Sequence, residues 1–185
     1  MKKTIYTLLI VIMTISNVAC GLISINESGY KSLSKENKAR IVRCDRPIDS
    51  LTYNSRIYQI DTEQMRQYLN RHGDVIIYGY ASFCHSENCI NPRMAEKLCK
   101  ENDFGFCLII ETYDYLERIP NMEVPILSIY QERYHTDKTP KYCEMFYKDL
   151  TGTTYEERGY GRFYHFKYGK FIKAYDNIND VFKPN

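Results

Sequence analysis

The sequence lacks several features that would assign it to a familiar class of enzyme. It has no tryptophan and only nine glycines among its 185 residues, and no glycine-rich loop that would cradle a phosphate group. It also has no Gly-x-Ser-x-Gly, His-Glu-x-x-His or paired-carboxylate motif. Phosphoryl transfer, serine hydrolysis and zinc proteolysis are therefore without a sequence signature.

An excess of charge of either sign is also missing. Two of the 25 basic residues are Lys2 and Lys3, at the extreme N terminus, and the 23 that remain equal the 23 acidic residues. A neutral chain has no electrostatic reason to bind nucleic acid or an anionic surface. We therefore expect no nucleic-acid partner.

Long apolar runs are absent as well, and the one short run stands near the N terminus. Residues 5–15 are almost wholly apolar, which is too short for a comfortable membrane span of about 20 residues. The run follows two lysines and leads into Val18-Ala19-Cys20, the pattern of a secretory signal. Because a cysteine stands directly after the cleavage site, residues 1–19 resemble a bacterial lipoprotein signal peptide. Asn17 departs from the usual leucine, so an ordinary signal peptide or an N-terminal anchor is the alternative.

The resemblance implies that Cys20 becomes the lipid-modified first residue of the mature protein. We expect a lipid-anchored protein of the bacterial cell envelope that faces the periplasm. Gly21 is not the aspartate that retains lipoproteins at the inner membrane, which favours the outer membrane.

Seven cysteines are present, so six remain if Cys20 carries a lipid. An exported compartment is oxidising and permits disulfides, but six cysteines allow 15 pairings. Cys44 and Cys143 are one possible pair, which would tie the N-terminal part of the chain to a later helix. Cys99 and Cys107 fall within apolar patterns and are most simply core residues.

Apolar periodicity divides the mature chain into a polar lipidated tether and lead-in, residues 20–54, and one domain, residues 55–185. The domain pattern predicts strands at 56–60, 75–80, 106–110 and 124–130, helices beginning near Asp61, Asn91 and Thr139, a short helix at 113–119, and a hairpin at 163–175 followed by a last helical turn. Strands that alternate with helices and end in a hairpin favour an α/β sandwich with a central mixed sheet.

Residues 55–183 resemble the thioredoxin fold. The segment Tyr80-Ala81-Ser82-Phe83-Cys84 is similar to the aromatic-rich approach to the thioredoxin nucleophile. The segment Phe166-Lys167-Tyr168-Gly169-Lys170 is similar to the turn of the thioredoxin C-terminal hairpin. Between residues 110 and 161, an additional strand and helix that include Val124-Pro125-Ile126-Leu127 resemble the insertion of exported, TlpA-like redoxins.

The resemblance implies a thioredoxin-like sandwich with flanking helices, and thiol–disulfide exchange with other exported proteins. Such a protein needs a redox partner but no organic cofactor. Two departures are visible: Cys84 and Cys89 are separated by four residues instead of two, and Gly161-Arg162 stands where the family carries a cis-proline.

Cys84 and Cys89 lie between a buried strand and a helix start, where backbone N–H groups stabilise a thiolate. In a regular helix, residues five apart are about 140° apart around the axis, so a disulfide between them requires residues 85–88 to form a loop. With that loop, Cys84 is the expected attacking thiol and Cys89 the resolving one. The alternatives are a purely structural disulfide, free thiols or metal ligands.

Two further interpretations remain open from the residues alone. His85 can stabilise a Cys84 thiolate when it is protonated, whereas Glu87 can raise a thiol pKa or relay a proton. Two cysteines and a histidine also suit copper, with His135 or His165 as the third ligand. A thioredoxin-fold lipoprotein that acts only as a binding scaffold is the non-catalytic alternative.

Overall fold

A computed structural model describes residues 27–84, 89–159 and 161–183. Their strands form one seven-stranded sheet with the order β1-β2-β5-β4-β3-β6-β7. The strands are β1 Ile41–Arg43, β2 Ile57–Ile60, β3 Asp74–Tyr80, β4 Gly105–Ile110, β5 Ile126–Ile129, β6 Phe163–Lys167 and β7 Lys170–Tyr175. Strands β1 to β5 are mutually parallel, whereas β6 is antiparallel to β3 and forms a hairpin with β7. Residues 1–19 and Cys20 lie outside the described ranges.

Helices cover the sheet on both faces. They are α1 Lys35–Arg40, α2 Thr62–Arg71, α3 Pro92–Glu101, α4 Thr139–Thr151 and α5 Tyr155–Arg158. The predicted α/β sandwich, with a central mixed sheet and a C-terminal hairpin, is confirmed, and it is compatible with a thioredoxin-like arrangement. The predicted helix at 113–119 is wrong in extent, because only the 3₁₀ turn Leu116–Arg118 forms there.

Two helices begin where the sequence places strong N-terminal signals. The Asp61 carboxylate accepts from the N–H of Gln64, and the Gln64 side chain accepts from the N–H of Asp61, which is a complete capping box. Helix α3 begins at Pro92 behind Asn91, whose side chain accepts from the N–H of Arg93. Helix α2 therefore begins directly after β2, whereas residues 81–91 separate the end of β3 from the start of α3.

Strand β3 lies inside the sheet, between β4 and β6, and is buried on both faces from Val75 to Tyr80. Alternate residues of the strand enter two separate cores. Val75 and Ile77 pack with helices α2 and α4, and Ile76 and Tyr78 pack with helix α3 and the C-terminal turn. A strand with apolar side chains on both faces accounts for the continuous apolar run in its sequence.

The lead-in contributes the edge strand of the sheet. Strand β1 pairs in parallel with β2, with Ile41 beside Ile57. Cys44 follows this strand and is buried, and its thiol donates to the carbonyl of Arg46. The possible disulfide between Cys44 and Cys143 is wrong, because both are free thiols.

The inserted strand β5 lies inside the sheet, between β2 and β4. Ile126 stands beside Ile57 of β2 and beside Leu108 of β4. All four residues of β5 are buried. The segment that resembles the redoxin insertion therefore forms an integral part of the core.

The described chain begins against the carboxyl edge of the sheet, where the parallel strands end. The N–H of Ser28 donates to the carbonyl of Asp137, and the Ser28 carbonyl accepts from the N–H of Tyr113 at 2.7 Å. Gly29 has φ of 76°, and a Cβ there would lie 2.5 Å from Oδ1 of Asp114, so a larger residue is disfavoured. Nowhere in the described part of the chain is a helix long and apolar enough to cross a membrane.

The cap of α2 gives a test of the fold. Asp61→Ala removes the cap and the 2.6 Å ion pair with Arg43, and we expect it to lower the free energy of unfolding by about 1 kcal/mol. Asp61→Asn retains a capping oxygen and should cost less. Urea unfolding of the three proteins measures both differences, and an equal loss in both variants would show that the cap is not the stabilising element.

The same variant has a defined pH dependence. Burial alone would raise the pKa of Asp61, but the Gln64 N–H and the Arg43 guanidinium together hold it below its ordinary value. A lowered pKa contributes stability above the ordinary aspartate range, and this contribution is lost as pH falls through the folded value. The deficit of Asp61→Ala should therefore shrink in acid.

Candidate functional site

Cys84 ends a tight turn that leaves strand β3. Its N–H donates to the carbonyl of Ala81 at 3.0 Å, and Ser82 Oγ donates to the carbonyl of Asp114. Ala81 and Ser82 are buried, whereas Phe83 is 39% exposed and Cys84 is half-buried. The turn therefore carries the chain from the core to a sulfur atom near the surface.

Cys84 forms a disulfide with Cys89. Their Cα atoms are 6.1 Å apart, within the usual disulfide range of roughly 4.4–6.8 Å. Beyond the bridge, the Tyr78 hydroxyl donates to the carbonyl of Ile90 at 3.0 Å, which fixes the returning chain against β3 before helix α3. The turn bond to Ala81 therefore holds the chain at Cys84, and the Tyr78 hydroxyl holds it just beyond Cys89. His85 and Glu87 lie outside the described residues.

The other described cysteines form no disulfide. Cys44, Cys99 and Cys107 are buried, and burial raises the pKa of Cys99 and of Cys107 to about 12. Burial also raises the pKa of the half-buried Cys143 well above its ordinary value. A thiol attacks a disulfide only as a thiolate, so Cys99, Cys107 and Cys143 are poor nucleophiles in the folded protein.

The two histidines considered as copper ligands have different surroundings. His165 is half-buried in β6, and its ring is hydrogen-bonded to Asp74 at 2.7 Å. Asp74 begins β3, about 20 Å along the strand from its carboxyl end, so His165 is remote from the cysteines. His135 is exposed after a 3₁₀ turn. Across residues 27–84, 89–159 and 161–183, no group of three or more histidine, cysteine or carboxylate side chains is arranged to hold a metal ion.

A cavity of about 520 Å³ lies on the α4 side of the sheet, and Phe83 is its lining residue nearest in sequence to the disulfide. Phe83, the neighbour of Cys84, forms one wall, and Glu111 at the end of β4 lies within it. The remaining lining residues are Thr139, Pro140, Cys143, Glu144, Tyr147, Tyr155, Arg158 and Tyr164. Because β3 and β4 are parallel neighbours, the residues that follow them meet at the same edge of the sheet.

Gly79 leaves space for two of the side chains that line this cavity. A Cβ on Gly79 would lie 2.5 Å from Glu111 Oε1 and 2.7 Å from the Tyr147 hydroxyl oxygen. Any other residue would displace one of the two side chains. The strand therefore has a glycine where a carboxyl group and a phenol group cross over its backbone.

Glu111 is an ionisable side chain whose surroundings favour its protonated form. Burial raises its pKa, and the Tyr147 hydroxyl, Arg162 and Arg158 oppose that rise without cancelling it. The backbone is fixed at this position, because the N–H of Glu111 donates to the carbonyl of Tyr80 at 2.9 Å. The cavity thus contains a group that can hold or release a proton.

Arg158 of the short helix α5 completes the polar part of the cavity. Its side chain is 1% exposed and pairs with Glu144, and it also donates to the carbonyl of Thr153 at 2.9 Å. A buried arginine with a carboxylate partner is a costly arrangement unless further hydrogen bonds satisfy it. The α4–α5 connection supplies one of these bonds through Thr153.

Sequence analysis did not find Glu111, Tyr147 or Arg158. A signal exists for the first, because Glu111 is an acidic residue placed directly after the apolar strand β4, next to the predicted cysteine loop. The other two belong to helices whose orientation over the sheet the chain pattern does not give. Gly79, within a continuous apolar run, was the indication of a close approach to the backbone.

The raised pKa of Glu111 has a measurable consequence for stability. Because the folded value lies above the unfolded one, stability is fully present below the ordinary glutamate range and is lost as pH rises through the folded value. Glu111→Gln removes this ionisation, so its free energy of unfolding relative to wild type should improve with rising pH. Urea unfolding from pH 4 to 8 measures the difference, with the exposed Glu117→Gln as the matched control. Parallel pH profiles for wild type and Glu111→Gln would contradict the assignment.

Comparisons of the chain with protein-family models, with curated proteins and with solved structures found no match.

Proposed function

We propose that the protein is a membrane-anchored thiol–disulfide exchange protein of the cell envelope that reacts through Cys84 and Cys89. The observation that carries the proposal is the Cys84–Cys89 disulfide, which joins two half-buried cysteines at the carboxyl edge of the parallel strands. The other described thiols have raised pKa values or are buried, so they do not compete with this pair.

The exchange needs two steps that conserve electrons. With the pair reduced, the Cys84 thiolate attacks a client disulfide, forming a mixed disulfide and releasing one client thiolate. The Cys89 sulfur then attacks the Cys84 sulfur, which restores the Cys84–Cys89 bond and releases the second client thiolate. The client is reduced by two electrons, and run in reverse the same steps oxidise a client dithiol.

The environment supports Cys84 as the attacking residue and Cys89 as the resolving one. Cys84 directly follows Phe83, whose side chain is exposed at the surface. Cys89 precedes Ile90, which is tied to β3 by the Tyr78 hydroxyl. No organic cofactor takes part, but a redox partner must restore the starting state of the pair, and exported proteins with thiols or disulfides are the clients.

The anchor and the location remain part of the proposal. The pattern of residues 1–20 supports lipidation of Cys20, with the domain facing the periplasm, and Gly21 favours the outer membrane. The neutral charge of the chain after residue 19 gives no support for nucleic-acid binding.

A non-catalytic scaffold is the second candidate, and one observation favours it. Gly161, at the position where the resembling family has a proline, packs so closely on β7 that a Cβ would lie 2.5 Å from the backbone nitrogen of Tyr175. None of the peptide bonds within the described ranges is cis. A copper chaperone is less well supported, because His165 is engaged by Asp74 at the far end of β3.

A redox titration tests the exchange reaction. The protein is equilibrated across a series of glutathione ratios, and its free thiols are trapped and identified by mass spectrometry. We expect Cys84 and Cys89 to open and close together, with a potential between about −120 and −270 mV, as known oxidoreductases do. Cys89→Ser should then accumulate mixed disulfides with clients, whereas Cys143→Ser, which leaves the pair intact, should not.

A pair that stays closed below about −300 mV would behave as a structural bridge. That outcome would exclude the exchange reaction and favour the scaffold. The exchange reaction would also be excluded if Cys84 and Cys89 never paired at any glutathione ratio.

Lipid labelling tests the anchor independently. Cells that express the protein are fed a clickable palmitate analogue, and the label is expected on wild type and on Cys44→Ser. Cys20→Ser should carry no label and should leave the membrane fraction, because a lost acyl chain removes the apolar group that holds the protein there. Equal labelling of Cys20→Ser would show that this residue is not the site.

A further inference from the structure

The cavity on the α4 side of the sheet presents apolar surface to the solvent. Its volume is about 520 Å³. Apolar and aromatic side chains form much of its lining, among them Phe83, Pro140, Cys143 and Tyr155. Phe83 and Tyr155 are each 39% exposed, and Cys143 is half-buried. A contiguous apolar surface that stays exposed usually marks a place where another apolar group binds.

The polar groups of the lining are engaged with one another. Arg158 pairs with Glu144 and donates to the carbonyl of Thr153 at 2.9 Å. The Tyr147 hydroxyl is hydrogen-bonded to the Glu111 carboxyl group. An occupant of the cavity would therefore gain mainly from apolar contact, because these polar groups already have partners.

The described chain begins at the rim of this cavity. Glu27 forms an antiparallel bridge with Lys138. In an antiparallel pair the two chains run in opposite directions, so the chain before Glu27 leads toward the residues that follow Lys138. These are Thr139 and Pro140, and both line the cavity. The residues that precede Glu27 therefore start beside the cavity.

The sequence directly before Glu27 is apolar, although a tether needs only polar residues. Residues 22–25 read Leu-Ile-Ser-Ile, whereas flexible linkers are typically polar or rich in glycine and serine. In an extended chain, alternate side chains point to the same side, so Ile23 and Ile25 can enter one apolar cavity together. Ile23 is four residues from Glu27 and lies at most about 15 Å from it.

We propose that residues 22–25 of the chain bind in this cavity, with the side chains of Ile23 and Ile25 against Phe83, Pro140 and Cys143. Docking covers the apolar lining and holds Cys20 near the carboxyl edge of the sheet. The proposal depends neither on the redox activity of the disulfide nor on lipidation of Cys20, because residues 22–25 precede Glu27 with or without the acyl group.

Cys143 reports whether the cavity is covered. The full chain in isolated membranes is treated with N-ethylmaleimide, and the alkylated cysteines are quantified over time by mass spectrometry. We expect Cys143 to react at least about tenfold faster in the double variant Ile23→Ser and Ile25→Ser, because the segment then loses the apolar burial that holds it in place. The double variant Ile23→Val and Ile25→Val keeps apolar side chains and should protect Cys143 nearly as well as wild type.

A matched control uses an exposed apolar residue on the other face of the sheet. Met94 of α3 is 56% exposed, and α3 packs in the core opposite to that of α4. Met94→Ser should leave the alkylation rate of Cys143 unchanged. The buried thiols Cys44, Cys99 and Cys107 are internal references. If they also react faster in the serine double variant, that variant is partly unfolded and the cross-link below decides.

A cross-link tests the position of the segment directly. Ile25→Cys leaves Ile23 in place, and oxidation with copper phenanthroline in the same membranes should join the new cysteine to Cys143. The disulfide-linked peptides are identified by mass spectrometry. Met94→Cys, treated in the same way, should give no link to Cys143.

The proposal is overturned if Cys143 is alkylated at the same rate in wild type and in the serine double variant, since the cavity would then be open in the native protein. It is equally overturned if Ile25→Cys links to Cys84 or Cys89 but not to Cys143, which would place the segment over the disulfide. A normal glutathione titration of the Cys84–Cys89 pair in the serine double variant would separate a failure of docking from a failure of the proposed exchange function.

Discussion

Gly79 leaves the backbone of β3 open toward helix α4, and the side chains of Glu111 and Tyr147 occupy that opening. The rest of the carboxyl edge depends on this close approach. It brings the carboxyl group of the residue that follows β4 and a phenol group from α4 to one point above β3, four residues before Phe83. The cavity is the space that remains between these two groups and the α4–α5 connection. A side chain at Gly79 would close it from below.

Burial sorts the ionisable groups of the molecule into two sets. Burial favours the neutral forms of Cys99, Cys107 and Glu111, because a charge there would lose its hydration without an adequate partner. The Cys84–Cys89 bridge lies where the chain leaves the core, and both of its cysteines are half-buried. Position relative to the core therefore separates the paired cysteines from Cys99 and Cys107.

The sequence predicted most of the fold, because its signals are local. The capping residues Asp61 and Asn91, the buried run of β3 and the C-terminal hairpin each depend on neighbours within a few positions, and the structure has them. It did not predict that β5 enters the sheet between β2 and β4, because strand order depends on long-range pairing. The candidate site divides in the same way. Cys84 and Cys89 were found from one short segment, whereas the residues around Glu111 come together from four distant parts of the chain.

The entry point of the chain has a consequence for how clients would reach the disulfide. Ser28 and Gly29 lie against the segment of Asp114, whose carbonyl accepts from Ser82, two residues before Cys84. Six residues lie between Cys20 and Glu27, and the seven Cα–Cα steps that join the two can span at most about 25 Å. If Cys20 carries the proposed acyl anchor, the carboxyl edge of the sheet, with its disulfide, is therefore held close to the headgroup layer. Partners that diffuse in the plane of the bilayer would meet it far more often than partners arriving from the aqueous bulk.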